Sequence, residues 1–252
     1  METAPACARR GVEATILESA AMDDVPRCYA LVPCAGVGAR AGTGAPKQYA
    51  LLGGRAVVAH TLAALAAVPR LAATLLVLAP DDAAFEAFVP RFEGPRGWVA
   101  RCGGATRAET VTRGLAELQR RGARDGDWVL VHDAARCLLR SEWVDRLIDA
   151  CLADEVGGLL ALPLADTLKA SLGDRVAGTL ERSHKWLAQT PQMFRLGLLQ
   201  RALAQAGSAI TDESGAVEAL GLMPRLVPGE VENLKLTWPA DFALAARLLE
   251  TR

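Results

Sequence analysis

The sequence lacks both concentrated charge of one sign and long hydrophobic runs. Its 252 residues carry 28 Lys and Arg against 29 Asp and Glu, and no basic block stands out. This balance disfavours a nucleic acid or an anionic membrane surface as a partner. No stretch approaches the roughly 18 uninterrupted apolar residues of a transmembrane helix, so we expect no membrane span. Hydrophobic residues nevertheless make up 51% of the chain, which is enough to build a folded core.

Paired metal-binding cysteines are also lacking. The six cysteines include no C-x-x-C pair, which is the usual spacing of a zinc site. Several of them lie in apolar runs, where cysteine packs as a small hydrophobic residue. A reducing compartment is the simplest assumption for such a chain, so we expect a cytoplasmic protein.

The first 26 residues lack strong periodicity and the apolar core of a signal peptide. Five of them are acidic, which argues against a transit peptide. We therefore expect residues 1–26 to form a mobile extension. The remaining residues, 27–252, are expected to form a single domain.

Apolar segments typical of strands alternate with helix-like segments along most of this domain. Strands are predicted at residues 28–34, 73–79, 97–102, 128–132 and 158–162. Helices are predicted at residues 56–68, 81–88, 106–120, 141–151, 196–206, 211–220 and 239–249. The alternation predicts an α/β fold with a doubly wound, mostly parallel, Rossmann-like sheet that binds ligands at the carboxyl ends of its strands. Residues 164–190 break the rhythm, and we expect a protruding β-arm there.

The loop after the first strand combines glycines with two cations. Residues 33–40 read P-C-A-G-V-G-A-R, and Lys47 follows seven residues after Arg40. Glycines allow backbone N–H groups to approach an anion closely. Arg40 and Lys47 can add two positive charges at the same place. The loop therefore predicts a polyphosphate site, although an ordinary turn with solvated charges would fit the same residues.

Part of this loop also matches the dinucleotide fingerprint G-x-G-x-x-A, starting at Gly36. That fingerprint opens a helix, which Pro46 and its neighbouring glycines would break. It also needs an acidic residue about 20 positions later for the ribose, and no Asp or Glu occurs between Arg40 and Asp81. A nicotinamide-dependent oxidoreductase is therefore disfavoured. A P-loop is disfavoured too, because no Gly-Lys-Ser/Thr is present.

Several segments in order along the chain resemble one known family. The first, residues 31–48, has the pattern P-x-A-G-x-G-x-R followed by P-K-Q. The others are residues 103–110, 131–136, 165–169, 187–192, 210–213 and 233–237. Together they resemble the sugar-nucleotidyltransferase-like enzymes, and most closely the 2-C-methyl-D-erythritol 4-phosphate cytidylyltransferase family. The resemblance extends from residue 29 to the C-terminus.

The resemblance implies an enzyme that transfers CMP from CTP to 2-C-methyl-D-erythritol 4-phosphate on the non-mevalonate isoprenoid pathway. The products would be 4-diphosphocytidyl-2-C-methyl-D-erythritol and pyrophosphate. Mg²⁺ or another divalent cation is expected as cofactor, held mainly by the CTP phosphates. The implied assembly is a homodimer with shared active sites, built through the β-arm. A pentitol phosphate such as ribitol 5-phosphate is the alternative acceptor, and a non-catalytic nucleotide-binding regulator is a remote alternative.

The resemblance also implies roles for individual residues. The residues assigned to catalysis are Arg40 and Lys47 on the α-phosphate of CTP, and Arg182 and Lys235 on the acceptor phosphate. The residues assigned to the nucleotide are Pro33, Cys34, Ala35, Gly36, Gly38, Gly103, Gly104 and Thr110. The residues assigned to the acceptor are Asp133, Ala134, Arg136, Thr167, Thr190 and Thr211. Asp133 is the one candidate metal ligand.

Two departures from the family pattern and three residues of open role remain. Cys137 stands where Pro normally follows Arg136, so we expect Arg136 to be held less rigidly. Ala105 stands where an acidic or polar residue can occur, so we expect one ribose contact to be absent. His132 lies at the end of a predicted strand, so we expect a structural role for it rather than proton transfer. Asp212 and Glu213 fit either a helix N-terminus capped by Thr211 or the site itself.

Overall fold

The computed structural model describes residues 25–36, 46–206 and 210–251. Residues 1–24 of the predicted extension over residues 1–26 therefore lie outside the described residues, as do Gly38 and Arg40. The strands are β1 (Cys28–Cys34), β2 (Leu51–Leu52), β3 (Arg55–Ala56), β4 (Leu71–Leu78), β5 (Gly97–Ala100), β6 (Trp128–Val131), β7 (Gly157–Pro163), β8 (Leu168–Leu172), β9 (Arg175–Leu180), β10 (Trp186–Arg195) and β11 (Arg225–Pro228). The α-helices are α1 (Val57–Ala66), α2 (Phe85–Phe88), α3 (Arg107–Arg120), α4 (Ser141–Leu152), α5 (Leu196–Gln205), α6 (Glu213–Glu218) and α7 (Pro239–Glu250), and a 3₁₀ turn spans Lys47–Tyr49.

Seven strands form one central sheet in the order β11-β7-β10-β6-β1-β4-β5. β1 pairs in parallel with β4 and β6, β4 with β5, and β7 with β11. Of the described strands in this sheet, only β10 runs antiparallel, to β6 and β7. The prediction of a doubly wound, mostly parallel α/β sheet is therefore confirmed.

Helices cover both faces of the sheet because its central strands are apolar on both sides. In β1, Ala30 and Val32 pack in one core with α1 and α4. The intervening Leu31 packs in a second core with α3, α5 and α6. None of the described helices combines the length and hydrophobicity that a membrane span requires.

The main strand that the sequence did not predict is β10, which enters the middle of the sheet. Its residues Gln189, Thr190 and Gln192 are polar and yet buried, so the segment lacks the apolar run that marks the other central strands. β11 is a short edge strand with only one buried side chain, Val227. Within residues 164–190, β8 and β9 pair with each other as a separate two-stranded unit.

Candidate active site

A cleft of about 300 Å³ opens at the carboxyl ends of β1 and β6, beside the N-terminus of α3. Parallel strands end together at this edge, which is where such sheets bind ligands. The cleft brings together ten residues that the sequence assigned to the site. They are Pro33, Cys34, Ala35, Gly36, Lys47, Gly104, Thr110, Asp133, Ala134 and Lys235.

The glycine pair after β5 lies at one wall of this cleft, which Gly104 lines. The Gly103 N–H donates to the Leu78 carbonyl at 2.8 Å. A Cβ at Gly103 would lie 2.3 Å from the Ala35 Cβ and 2.7 Å from the Leu78 oxygen, so only glycine fits between these strand ends. In contrast, a Cβ at Gly36 would meet nothing within 4 Å, so that backbone faces open space where a ligand can approach.

Thr110 shapes this wall from inside α3. Its hydroxyl accepts a hydrogen bond from the Gly104 N–H at 3.0 Å and donates to the Thr106 carbonyl at 2.9 Å. The Glu109 carboxylate accepts a hydrogen bond from the Ala105 N–H at 2.8 Å. The backbone N–H of Ala105, one of the two departures from the family pattern, is therefore bonded within the chain. The loop is therefore fixed by local hydrogen bonds, and a contact between Thr110 and the nucleotide stays a prediction.

Asp133 is the electrostatic centre of the cleft. Its Oδ1 accepts from Arg107 Nε at 2.9 Å, and its Oδ2 lies 2.7 Å from Lys235 Nζ. Burial opposes ionisation, but the charges of Arg107 and Lys235 outweigh it and hold the pKa of Asp133 well below its usual range. Asp133 is therefore ionised at neutral pH, with each carboxylate oxygen engaged by a different cation.

Arg107 links this carboxylate to a second one. Its Nη1 and Nη2 donate to Glu213 Oε1 and Oε2 at 2.6 and 3.0 Å, while its Nε serves Asp133. Glu213 begins α6 and is only 1% exposed. Its burial raises the pKa of Glu213, and the neighbouring Arg107 opposes that rise. The sequence left the role of Glu213 open, since no local pattern reveals a pair of residues so far apart.

The C-terminal loop brings Lys235 to the cleft beside Lys47. Lys47 Nζ donates to the Leu236 carbonyl at 3.0 Å. The Leu236 N–H donates to the Ala135 carbonyl at 2.9 Å, which ties the loop to the segment after β6. Asn233 is fully buried and donates to the Thr190 carbonyl at 2.8 Å. Residues from the first, third and last motifs therefore meet at one place.

His132 lies behind the cleft and is fully buried. Its Nε2 lies 3.2 Å from the Arg136 carbonyl, which can only accept, so Nε2 carries the proton. Its Nδ1 then accepts from the Thr190 hydroxyl at 3.1 Å, and that hydroxyl accepts from the Asp133 N–H at 3.0 Å. Burial lowers the pKa of His132 to about 4. The residue is thus a neutral structural link, as the sequence favoured.

Several residues assigned to the acceptor do not line the cleft. Thr190 is buried behind Asp133, and Arg136 donates to the carbonyls of Asn233 and Ala188 at 2.6 and 3.3 Å. Arg136 is therefore anchored even though Cys137 follows it. Thr211 lines a neighbouring cavity of about 190 Å³. The cap of α6 is Asp212, which accepts from the Gly215 N–H, so the prediction of Thr211 as cap was wrong. The acceptor roles themselves stay predictions.

The last two site residues, Thr167 and Arg182, are exposed residues of the 164–190 segment. Arg182 donates to the Ala165 carbonyl within the same segment. Neither residue lines the cleft of its own chain.

The described residues gather no cluster of three or more His, Cys, Asp and Glu side chains that could hold a metal ion. Asp133 lines the cleft, but Arg107 and Lys235 already engage both of its oxygens. A carboxylate so engaged does not fit a role as principal ligand of a divalent ion, which prefers several oxygen ligands.

Comparisons with known proteins identify the family of this chain. The family model described as 2-C-methyl-D-erythritol 4-phosphate cytidylyltransferase matches residues 28–251. An enzyme of that name from Laribacter hongkongensis is 56% identical over 228 residues, which cover 88% of this chain and 96% of the relative. The bifunctional enzyme IspD/IspF of Albidiferax ferrireducens is 61% identical over 91% of this chain, and the chain spans only 54% of that protein.

Solved structures resemble the fold over most of its length. A 4-diphosphocytidyl-2C-methyl-D-erythritol synthase is 42% identical with a TM-score of 0.80, and the match covers 89% of this chain and 99% of that one. The 2-C-methyl-D-erythritol 4-phosphate cytidylyltransferase of Thermus thermophilus is 32% identical with a TM-score of 0.73, over 89% and 99%. The chain belongs to the 2-C-methyl-D-erythritol 4-phosphate cytidylyltransferase family.

Proposed function

We infer that this chain transfers CMP from CTP to 2-C-methyl-D-erythritol 4-phosphate, with release of pyrophosphate. The observation that carries the inference is the cleft itself, in which Lys47, Arg107 and Lys235 lie with the ionised Asp133 beside an open glycine backbone. Such a cleft suits two phosphorylated substrates that must be brought together. Membership in the family identifies which two they are.

The reaction needs no general base. A phosphate monoester has a second pKa near 6, so the acceptor phosphate is mostly a dianion at about pH 7 and already a nucleophile. One of its oxygens attacks the α-phosphorus of CTP, the bond from that phosphorus to the bridging oxygen breaks, and pyrophosphate leaves with the electron pair. His132 takes no part, because both of its ring nitrogens are bonded outside the cleft.

Catalysis then rests on positioning and on charge stabilisation. We assign Lys47, together with Arg40, to the charge that develops at the α-phosphate. We assign Lys235 to the acceptor phosphate, because Asp133 holds its ammonium at the cleft wall. Gly36 and Gly104 leave backbone close to the space that the nucleotide would occupy.

We further propose that Mg²⁺ enters with CTP and is held mainly by triphosphate oxygens and water, since Arg107 and Lys235 already bind both carboxylate oxygens of Asp133. When bound, the ion would neutralise phosphate charge. A cytoplasmic location is part of the proposal. The need for CTP supports it, as do the five described cysteines, which are all free thiols.

Measuring pyrophosphate release tests this function. Release should require CTP, 2-C-methyl-D-erythritol 4-phosphate and Mg²⁺ together, and kcat/KM should be higher with this acceptor than with ribitol 5-phosphate. A higher value with ribitol 5-phosphate would contradict the proposed acceptor. No release from folded protein with either acceptor would reject the cytidylyltransferase function.

We propose that two copies of the chain assemble through the arm formed by β8 and β9. Leu172, Val176 and Leu180 are 80, 67 and 47% exposed there, and an isolated two-stranded unit is marginal in water. A partner that covers these side chains would stabilise the arm. It would also allow Thr167 and Arg182 to reach the partner's cleft, since they do not line their own.

Sedimentation tests the assembly. Replacing Leu172 and Val176 by Lys should convert the dimer into a monomer. Activity should fall as the dimer is lost. Leu244→Lys on α7 is a matched control, because this leucine is 43% exposed and belongs to an element other than the arm. A dimer that survives the arm substitutions, or a wild-type monomer with full activity, would contradict the proposal.

A further inference from the structure

Glu213 is a buried acid that the reaction as described does not use. It is only 1% exposed, whereas the Arg107 side chain beside it is 28% exposed. Burying a carboxylate costs free energy that its ion pair need not return in full. A buried pair of this kind next to a cleft therefore points to a role in arranging other groups.

The geometry divides Arg107 between two acids. The two terminal nitrogens face Glu213, and Nε alone faces Asp133. This division leaves Asp133 Oδ2 for Lys235, with Arg136 Nε farther away at 3.9 Å. The order of contacts is thus Glu213, Arg107, Asp133 and Lys235, and the last three of these residues line the cleft.

An arginine without Glu213 would favour a different arrangement. Guanidinium groups prefer to bind a carboxylate with two parallel hydrogen bonds. Asp133 would then be the carboxylate within reach of Arg107. A bidentate contact between the two would use the Asp133 Oδ2 that now engages Lys235. The Lys235 ammonium would then lose the anchor that sets its position.

The position of Glu213 is itself fixed from the sheet. Gln192 in β10 accepts from the Ser214 N–H at 2.7 Å and donates to Asp212 Oδ2 at 2.9 Å. Asp212 in turn caps α6 through the Gly215 N–H at 3.0 Å. The central sheet therefore holds the backbone on either side of Glu213 in place, and this fixes the position from which its side chain extends.

We propose that Glu213 is a positioning residue for the transfer reaction, which holds Arg107 so that Asp133 keeps one oxygen for Lys235. The proposal rests on the proposed function, because it assigns Lys235 to the acceptor phosphate. It extends the working site beyond the cleft to a side chain that lines the neighbouring cavity. Glu213 touches no substrate and acts only through Arg107.

The test is steady-state kinetics of Glu213→Gln with both substrates varied. We expect kcat/KM for the acceptor to fall at least ~10-fold, a loss of about 1.4 kcal/mol of transition-state stabilisation, while KM for CTP changes less than ~2-fold. Glu117→Gln is the matched control. Glu117 is a buried acid paired with Arg121 at 2.6 Å near the other end of α3, so its loss should not produce this split.

A double-mutant cycle with Lys235→Met separates positioning from a general loss of structure. If Glu213 acts through Lys235, Glu213→Gln should change kcat/KM by less than ~2-fold in the Lys235→Met background. An equal loss in both backgrounds, or no loss in either, would overturn the proposal. If Glu213→Gln does not fold, Glu213→Asp is judged by the same criteria. An inactive wild type would instead reject the proposed function.

Discussion

Acidification should destabilise this protein through His132. The imidazole is fully buried and neutral, with Nε2–H donating to Arg136 and Nδ1 accepting from Thr190. Burial lowers its pKa from 6.5 to about 4. A histidine with a lowered folded-state pKa contributes stability that is complete above its unfolded value and is lost as the pH falls. Between about pH 7 and pH 5 this one group should remove about 2 kcal/mol from the free energy of unfolding.

Urea unfolding of the wild type and of His132→Gln, followed by tryptophan fluorescence at fixed protein concentration, measures this loss. Other titrating groups are shared by the two proteins, so their contributions cancel in the difference between the two free energies. That difference should shrink by about 2 kcal/mol from pH 7 to pH 5, because only the wild type carries the buried imidazole. A difference that stays constant with pH would show that His132 does not titrate as its burial requires.

The remaining predictions concern the cleft. Gly103→Ala should cost about 1–3 kcal/mol of stability, because its Cβ would overlap Ala35 and backbone, and thermal unfolding measures this. Gly36→Ala should leave the melting temperature unchanged but raise KM for CTP, since only a ligand approaches that position. Lys47→Met should lower kcat by about 10²–10³ with a smaller effect on CTP affinity, and equal losses in both would make Lys47 a uniform binder. Asp133→Asn should cost about 3 kcal/mol in urea unfolding, because it breaks a buried ion pair, and an unchanged midpoint would contradict its central role.

Strands with continuous apolar runs could be predicted from the sequence because both faces of a parallel strand are buried. β1 and β6 follow this rule, and so their carboxyl ends and the loops after them could be placed in advance. β10 could not, because its buried Gln189, Thr190 and Gln192 are satisfied by partners from distant segments. Polar residues that bond across the fold carry no local signal of burial.

The candidate site shows the same division. Gly36, Lys47 and Asp133, which line the cleft, could be chosen as candidates because each lies in a short motif after a strand. The pair of Arg107 and Glu213 could not, because 106 positions separate the two residues along the chain. Thr190 was assigned to the acceptor, yet its hydroxyl is engaged by His132 and the Asp133 backbone. The face of the sheet to which the Thr190 hydroxyl points depends on the register of the strand, and the motif alone does not reveal that register.

The proposed chemistry reduces to one event, in which an acceptor phosphate attacks the α-phosphorus of CTP in this cleft. Phosphorus NMR of a reaction with CTP, 2-C-methyl-D-erythritol 4-phosphate and Mg²⁺ observes its product. We expect a diphosphate diester with two mutually coupled resonances, formed in equal amount with pyrophosphate, and no such product from Lys47→Met on the same time scale. Formation of free CMP and pyrophosphate without the diester, or of CDP, would contradict the proposed transfer.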